Sequence, residues 1–395
     1  MQKSSLKLLL VADVFPPVRT SAAALIYDLA VSLVRIGHDC TVATTDAQIS
    51  RPFEIDSRDG FDVLRIRTGP LKRINLVRRA INEMLLSSQM WDGYRASPAA
   101  SKRYDGVVFY SPTIFFGRFI ARVKSLYSCR AYLILRDIFP DWAVDLGLMR
   151  KGPHYWIFKA FAQYQYSVAD VIGIESSSNK KYFSRQSHKI EVLHNWIDTD
   201  APPPPSFSLP EYVRQHCILV YAGNMGVAQD MDNLLRLARR LVHRKDCRML
   251  FVGSGSERGR MESEARNLRL ENVIFYPEVH PQELRGLLRE CHVGLISLDK
   301  RLRSHNITGK LLSYLEAGLP VLASVNSGND IKSVVEGAGA GMVLWNGEDD
   351  ALANAANRML DRRGKLARMA AAAKQLCRIQ FSATAAAEQI GRTFK

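Results

Sequence analysis

The sequence predicts an α/β protein of two doubly wound, Rossmann-like domains with a helical C-terminus and a ligand cleft between the domains. Three observations predict it. Short, continuously apolar runs alternate with longer helical patterns, as parallel strands do when helices cover both faces of their sheet. A run of four prolines at 202–205 breaks the pattern once, and the same pattern restarts after it. The chain has 395 residues, more than one core ordinarily organises, so two domains of roughly 150–200 residues are expected.

The elements follow in order. Strands are expected at 6–12, 40–44, 63–67, 106–110, 131–135, 171–174 and 190–193, with helices between them at 21–35, 74–91 and 114–126. Consecutive prolines cannot continue a helix or a central strand, so 202–205 forms a stiff, extended connector. Strands resume at 218–221, 249–252, 273–276, 293–298 and 321–324, and the chain from about Glu348 reads as helices only. The domains expected are 1–200 and 201–375, with 376–395 a C-terminal helix that returns to the first domain. In open α/β sheets ligands sit outside the C-terminal ends of the strands, which places the expected site in the cleft.

Composition narrows the partners. Hydrophobic residues make up 47% and charged residues 24%, so the chain is globular. Its net charge of +15 suits nucleic acid, anionic lipid or a phosphorylated substrate. The cations are scattered, with neither a basic arm nor an aromatic RNA-binding signature, so nucleic acid is not expected. The six cysteines form no Cys-x-x-Cys pair, which suggests neither a zinc site nor a disulfide framework and fits a reducing cytoplasm. The apolar run Leu8-Leu9-Leu10-Val11 is too short for a leader core and reads as a strand; no run approaches about 20 apolar residues, so no membrane-crossing helix is expected.

Six stretches carry candidate chemistry. From Ile307-Thr308-Gly309-Lys310 a small-residue turn opens an amphipathic helix that runs to Glu316 and ends at Gly318-Leu319-Pro320. Free N–H groups, the dipole and Lys310 suit a diphosphate there, and Glu316 suits a ribose diol; the plain alternatives are a solvated lysine and a helix-surface carboxylate. Gly223-Asn224-Met225-Gly226 and Gln229 follow a strand, where two glycines admit a ligand close to the backbone. Gly253-Ser254-Gly255-Ser256-Glu257-Arg258-Gly259 resembles a dinucleotide fingerprint, but Gly259 comes one place late and the acid on the following strand is missing. Ser21 is the expected N-cap of the first helix, and Arg19 before it reaches either a phosphate or a surface acid. Arg136-Asp137-Ile138-Phe139-Pro140-Asp141-Trp142 places charges directly after a strand, either lining the cleft or forming a structural ion pair. Finally, Ile74, Val77, Ile81 and Leu85 share one helix face flanked by Lys72, Arg73, Arg78 and Arg79, a pattern suited to anionic lipid or to docking on its own domain.

Together these stretches resemble glycosyltransferase family 4, whose members have the GT-B fold, over nearly the whole chain. Arg19-Thr20-Ser21-Ala22-Ala23 stands at the family's N-terminal loop. Arg136-Asp137-Ile138-Phe139-Pro140 is similar to the Arg-Asp-x-Trp-Pro box of the O-antigen and capsule branch. His194-Asn195-Trp196-Ile197-Asp198 resembles its Pro-Asn-Gly-x-Asp. Gly309-Lys310 through Pro320 resembles its Ser-Lys…Glu-Ala-x-Gly-x-Pro-Val signature. The nearest branch by resemblance is that of the N-acetyl-L-fucosamine transferases.

The resemblance implies retaining transfer of a sugar, such as an N-acetylated amino or deoxyamino sugar, from a nucleotide diphosphate sugar, usually UDP-linked. The acceptor would be a lipid-linked saccharide at the anionic inner face of the cytoplasmic membrane. It implies no catalytic metal and no cofactor beyond the donor. Lys310 and the amides near Thr308 and Gly309 would hold the diphosphate, Glu316 the ribose, and chain atoms near Val279 the base. Three departures stand out. The first Glu of the family's Glu-x7-Glu falls on Thr308. The family's Arg and Lys after the second domain's first strand are Asn224 and Gln229. Its His after the fourth strand is replaced by Arg136-Asp137, which leaves Asp137 as the candidate general base and asks Arg19 and Lys310 for phosphate charge. The alternatives are a GT-B nucleotide-sugar 2-epimerase and a non-catalytic protein that binds nucleotide or lipid.

Overall fold

A computed structural model describes residues 5–18, 20–71, 74–145, 149–183, 187–201, 206–302, 307–361 and 363–395. Arg19, Lys72, Arg73 and the four prolines at 202–205 lie outside the described residues. The chain divides into two compact units: Met1–Asp198 with Ala383–Lys395, and Thr199–Ser382. Against the 200 and 375 read from the sequence, the divisions fall at 198 and 382.

Unit 1 is built on eight strands: β1 (Lys7–Ala12), β2 (Asp39–Asp46), β3 (Phe53–Arg58), β4 (Phe61–Arg67), β5 (Gly106–Ser111), β6 (Arg130–Leu135), β7 (Val171–Ile174) and β8 (Ile190–Val192). Their order is β3-β4-β2-β1-β5-β6-β7-β8. Every neighbouring pair is parallel except β3 with β4. The central strands are continuously buried because helices cover both faces. One face packs on α2 (Leu76–Ala96), α3 (Gly117–Tyr127) and α5 (Pro153–Val168), with Leu86, Met90, Phe119, Ile120 and Tyr166 in its core. The other packs on α1 (Ser21–Arg35) through Ile26, Leu29 and Leu33. Thr20, not Ser21, caps α1: its hydroxyl accepts from the Ala23 amide at 3.2 Å. A short helix, α4 (Asp141–Asp145), precedes α5.

Strand β3 was not expected. It is an edge strand whose middle residues, Glu54 to Ser57, are exposed, so it lacks the apolar run that marks the others. Its hairpin turns at Asp59-Gly60, both at positive φ (49° and 85°), the dipeptide that suits a two-residue turn.

Unit 2 contains β9 (Cys217–Ala222), β10 (Cys247–Val252), β11 (Val273–Tyr276), β12 (Val293–Ser297), β13 (Val321–Val325) and β14 (Gly341–Trp345), in the order β11-β10-β9-β12-β13-β14. All neighbouring pairs are parallel. The helices are α6 (Glu211–Arg214), α7 (Met231–Arg240), α8 (Arg258–Asn267), α9 (Pro281–Arg289), α10 (Gly309–Ala317), α11 (Ile331–Gly337), α12 (Asp349–Leu360) and α13 (Arg363–Gln380). The strand order reverses between β9 and β12, the place where a doubly wound sheet opens a crevice. Helix α13 packs against α10 and α12 and so stays with unit 2 to Gln380.

The last helix, α14 (Ala383–Arg392), belongs to unit 1 and packs on α1. Gln389 donates to Glu191 (2.8 Å) and to the Val192 carbonyl (2.9 Å), and Arg130 donates to the Thr393 carbonyl at 2.7 Å. Phe394 fills the space beside Gly106, where a Cβ would lie 2.2 Å from its ring.

Candidate functional site

The C-terminal edge of the second sheet gathers most of the expected binding residues, because each lies in a loop that follows a parallel strand. Gly223, Asn224 and Gln229 follow β9, Val279 follows β11, and Thr308, Gly309 and Lys310 end the connection after β12. The loops interlock through glycine. Gly223, Gly253 and Gly255 have φ of 123°, 132° and 144°. A Cβ on Gly253 would lie 2.4 Å from the Gly223 carbonyl, and one on Gly255 2.3 Å from that of Met225. The Gly-x-Gly turn is therefore a backbone buttress for the loop after β9. The Ser254 hydroxyl donates to Glu278 at 2.6 Å, which ties in the loop carrying the half-buried Val279.

Lys310 lies in the first turn of α10 over the end of β9. Its ammonium is 4.9 Å from the centre of the Tyr221 ring, and its stem crosses Gly223, where a Cβ would lie 3.1 Å from Cε. Among the described residues no carboxylate pairs with it. Burial lowers its pKa to about 8. Beside it, Thr308 is the N-cap of α10 but its side chain caps nothing, and among the described residues its buried hydroxyl oxygen has no partner. A lysine without a carboxylate partner, a buried hydroxyl and the first amides of a nine-residue helix thus all belong to the start of α10. That combination fits a phosphate group.

Two tyrosines that sequence reasoning missed hold this arrangement. Tyr221 lies beneath the ammonium. Tyr314 accepts from the Ala222 amide at 2.9 Å and donates to the Leu295 carbonyl at 3.1 Å, which pins α10 to β9 and β12. Gly294 leaves room for its ring, since a Cβ there would come within 2.4 Å of it.

Other expected residues take different places. Gln229 accepts from the Gly226 amide at 3.1 Å and from Asn224 at 3.5 Å, so the pair closes its own loop. Glu316 is not brought to Lys310. Six residues of helix turn it roughly 120° to another face, where Arg285 donates to it at 2.9 Å and Arg289 lies 3.6 Å away. Ser313, one turn after Lys310, does share the lysine's side of the helix. Arg19 lies outside the described residues.

In unit 1 the charged stretch after β6 divides. Arg136 is buried, donates to the carbonyls of Leu193 (2.6 Å) and His194 (3.2 Å), and lies 5.2 Å from the Trp196 ring centre. It thereby fixes the segment after β8. Asp141 is bound by Tyr155 at 3.0 Å and Lys159 at 2.6 Å. Asp137 is exposed; the surrounding protein raises its carboxyl above the ordinary value, and Arg136 opposes that rise. Glu175, directly after β7, went unread although it carries the signal used for Asp137, a charge at a strand's C-terminal end. It is buried, accepts from Asn195 at 2.8 Å, and burial lifts its pKa to about 7 against the pull of Arg136. Among the described residues no group of three or more His, Cys, Asp or Glu side chains is placed to hold a metal ion.

On α2, Ile81, Met84 and Leu85 are each about half exposed, beside exposed Arg78 and Arg79; Trp156 and Ile157 on α5 are exposed as well. Among the described residues no helix is long and apolar enough to cross a membrane.

Residues 216–362 match the family described as glycosyl transferases group 1. The chain is 24% identical over 224 residues to a protein of Pseudomonas aeruginosa named Probable glycosyltransferase WbjE, covering 54% of this chain and 55% of the relative. It is 25% identical over 235 residues to WcaI of Escherichia coli (strain K12), which bears a colanic acid biosynthesis glycosyl transferase name, covering 54% and 56%. The chain thus spans about half the length of the curated relatives it matches. Among solved structures, sucrose-phosphate synthase from Thermosynechococcus elongatus superposes with a TM-score of 0.70 at 15% identity over 98% of both chains. Anabaena HepE in complex with UDP gives 0.66 at 14%, over 98% of this chain and 99% of that one. WaaG, a glycosyltransferase involved in lipopolysaccharide biosynthesis, gives 0.61 at 16%, over 99% and 100%.

Proposed function

We propose, from the premise that the chain carries a glycosyl transferases group 1 domain over residues 216–362 and has the GT-B fold, that this protein transfers a sugar from a nucleoside diphosphate sugar to a lipid-linked saccharide in surface-polysaccharide assembly. The observation that carries the reading is the unpaired Lys310 ammonium beside the orphaned Thr308 hydroxyl at the start of α10. The likeness to HepE, described in complex with UDP, supports a uridine nucleotide as the leaving group. WcaI, named for colanic acid biosynthesis, and WaaG, named for lipopolysaccharide biosynthesis, support a polysaccharide or lipopolysaccharide product.

The chemistry follows from where charge develops. The bond between the sugar C1 and the diphosphate oxygen breaks, and both electrons leave with the diphosphate. An acceptor hydroxyl bonds to C1 from the face just vacated, which retains configuration, and its proton passes to the departing phosphate oxygen. Lys310, the Thr308 hydroxyl and the first amides of α10 meet the charge as it grows, and such preset donors stabilise the transition state more than the ground state. Asp137, exposed at the end of β6, is the candidate group on the acceptor side. The exposed apolar residues and arginines of α2 support peripheral contact with an anionic membrane surface.

Lys310→Ala tests the anchor. Losing one preset donor typically raises a barrier by about 2.7–4 kcal/mol, so turnover of the donor sugar falls at least tenfold while circular dichroism stays that of the parent. Unchanged turnover overturns the assignment. A thermal-shift panel of nucleoside diphosphate sugars identifies the donor, because a ligand bound only by the folded chain raises Tm by mass action.

A further inference from the structure

A cavity lies at the other end of α10. It has a volume of about 470 Å³ and opens in unit 2 against the C-terminal turn of that helix, within the range of small-molecule sites. Arg289 at the end of α9, Glu316 of α10, and Lys374, Cys377 and Arg378 of α13 line it. None of them belongs to the Lys310 site.

The lining is shaped by packing. Residues 374, 377 and 378 share one face of α13. The stem of Lys374 crosses Gly318, whose φ of 76° ends α10; a Cβ there would lie 2.3 Å from the lysine Cε. Arg285 and Arg289, four apart on α9, both address the same oxygen of Glu316. The other oxygen, Oε2, is buried and has no partner among the described residues, and the side chain is only 6% exposed. Buried polar atoms are seldom left unpaired, because an unmade bond leaves the group's desolvation uncompensated, the more so when it is charged. Among the described residues neither Lys374 nor Arg378 pairs with a carboxylate. Cys377 is no nucleophile here, since burial pushes its thiol up to about 12; it serves as wall.

Two demands are therefore unmet in one cavity. Three cations against one carboxylate leave it positive and call for an anion. The orphaned Glu316 oxygen calls for an O–H donor. Rim cations alone would be ordinary solvated surface; the buried oxygen is what asks for a ligand. We propose that this cavity binds a phosphate ester carrying a nearby hydroxyl, with the phosphate on Lys374, Arg378 and Arg289 and the hydroxyl donating to Glu316 Oε2.

Thermal-shift titrations of the full chain test this with glycerol 3-phosphate, inorganic phosphate and glycerol, in the parent and in Lys310→Ala. Glycerol 3-phosphate is expected to raise Tm equally in both, inorganic phosphate less, and glycerol at the same concentration not at all. Replacing the exposed Lys374 and Arg378 together by Ala is expected to weaken binding at least about tenfold. Glu316→Gln is expected to erase the preference for the ester over inorganic phosphate, and the double variant keeps the test open if this one fails to fold. A shift lost in Lys310→Ala but kept in the double variant overturns the proposal, as does the absence of any shift with the ester. Either result leaves the donor reading untouched, which stands or falls on nucleotide-sugar turnover. Phosphatidylglycerol vesicles supply the lipid-borne form: cosedimentation that needs Lys374 and Arg378 and is competed by glycerol 3-phosphate assigns the headgroup, and its absence assigns the free ester.

Discussion

Lys310 joins burial, charge and position, and its titration follows from them. Its pKa of about 8 in the free protein means that the ammonium begins to lose its proton within the working range. A bound diphosphate favours the charged form and so raises the pKa in the complex. Affinity for a nucleoside diphosphate should hold steady below about pH 8 and decline above it, with proton uptake on binding in that upper range. Calorimetry in buffers of different ionisation enthalpy measures this; affinity flat from pH 7 to 9.5, with no proton uptake, would argue against an unpaired lysine at the phosphate. Of the residue-level site, Lys310 and Gly309 were legible because a turn of small residues before an apolar-periodic helix marks a helix start. The pairing of Glu316 with Arg285 was not, because a motif spacing does not say which side of the helix a residue occupies. Tyr221 and Tyr314 were not legible either. A tyrosine in an apolar run reads as core, and only the folded sheet shows Tyr314 bridging two strands.

Helix α2 shows what an amphipathic pattern does and does not say. The expected face of Ile74, Val77, Ile81 and Leu85 suited either lipid or the domain itself. The structure leaves Ile81, Met84 and Leu85 half exposed while Leu86 and Met90 enter the core, so the buried face is a different one. An exposed apolar strip among arginines suits an anionic bilayer surface. Ile81→Glu with Leu85→Glu should cut cosedimentation with phosphatidylglycerol vesicles severalfold and leave thermal stability near that of the parent. Added salt should weaken the parent's binding through screening. Equal cosedimentation of parent and variant would remove α2 from the membrane reading. Buried parallel strands were legible at this scale, because burial on both faces writes a continuous apolar run. The edge strand β3 was not: only one side has a partner, and its charges hide the period. Its Asp59-Gly60 turn was the available signal.

Over the whole chain, the proline run marked where one pattern stops, and the structure moves the division only to 198. The return of the tail to unit 1 has energetic content. Ala383, Ala386, Ala387 and Ile390 are buried there, with Phe394 against Gly106. Burying a single Ile or Phe side chain contributes about 1.5–3 kcal/mol. A chain ending at Ser382 should therefore lose at least about 3 kcal/mol from unit 1. In urea, the transition followed by tryptophan fluorescence should move to lower concentration, since four of the five tryptophans lie in unit 1; an unmoved transition would mean that the helix contributes nothing. The same return sets a schedule for synthesis. A nascent chain ordinarily folds its leading domain while the rest is still being made. Here α1 waits for α14, so residues 1–198 remain unfinished until residues 383–395 have been made.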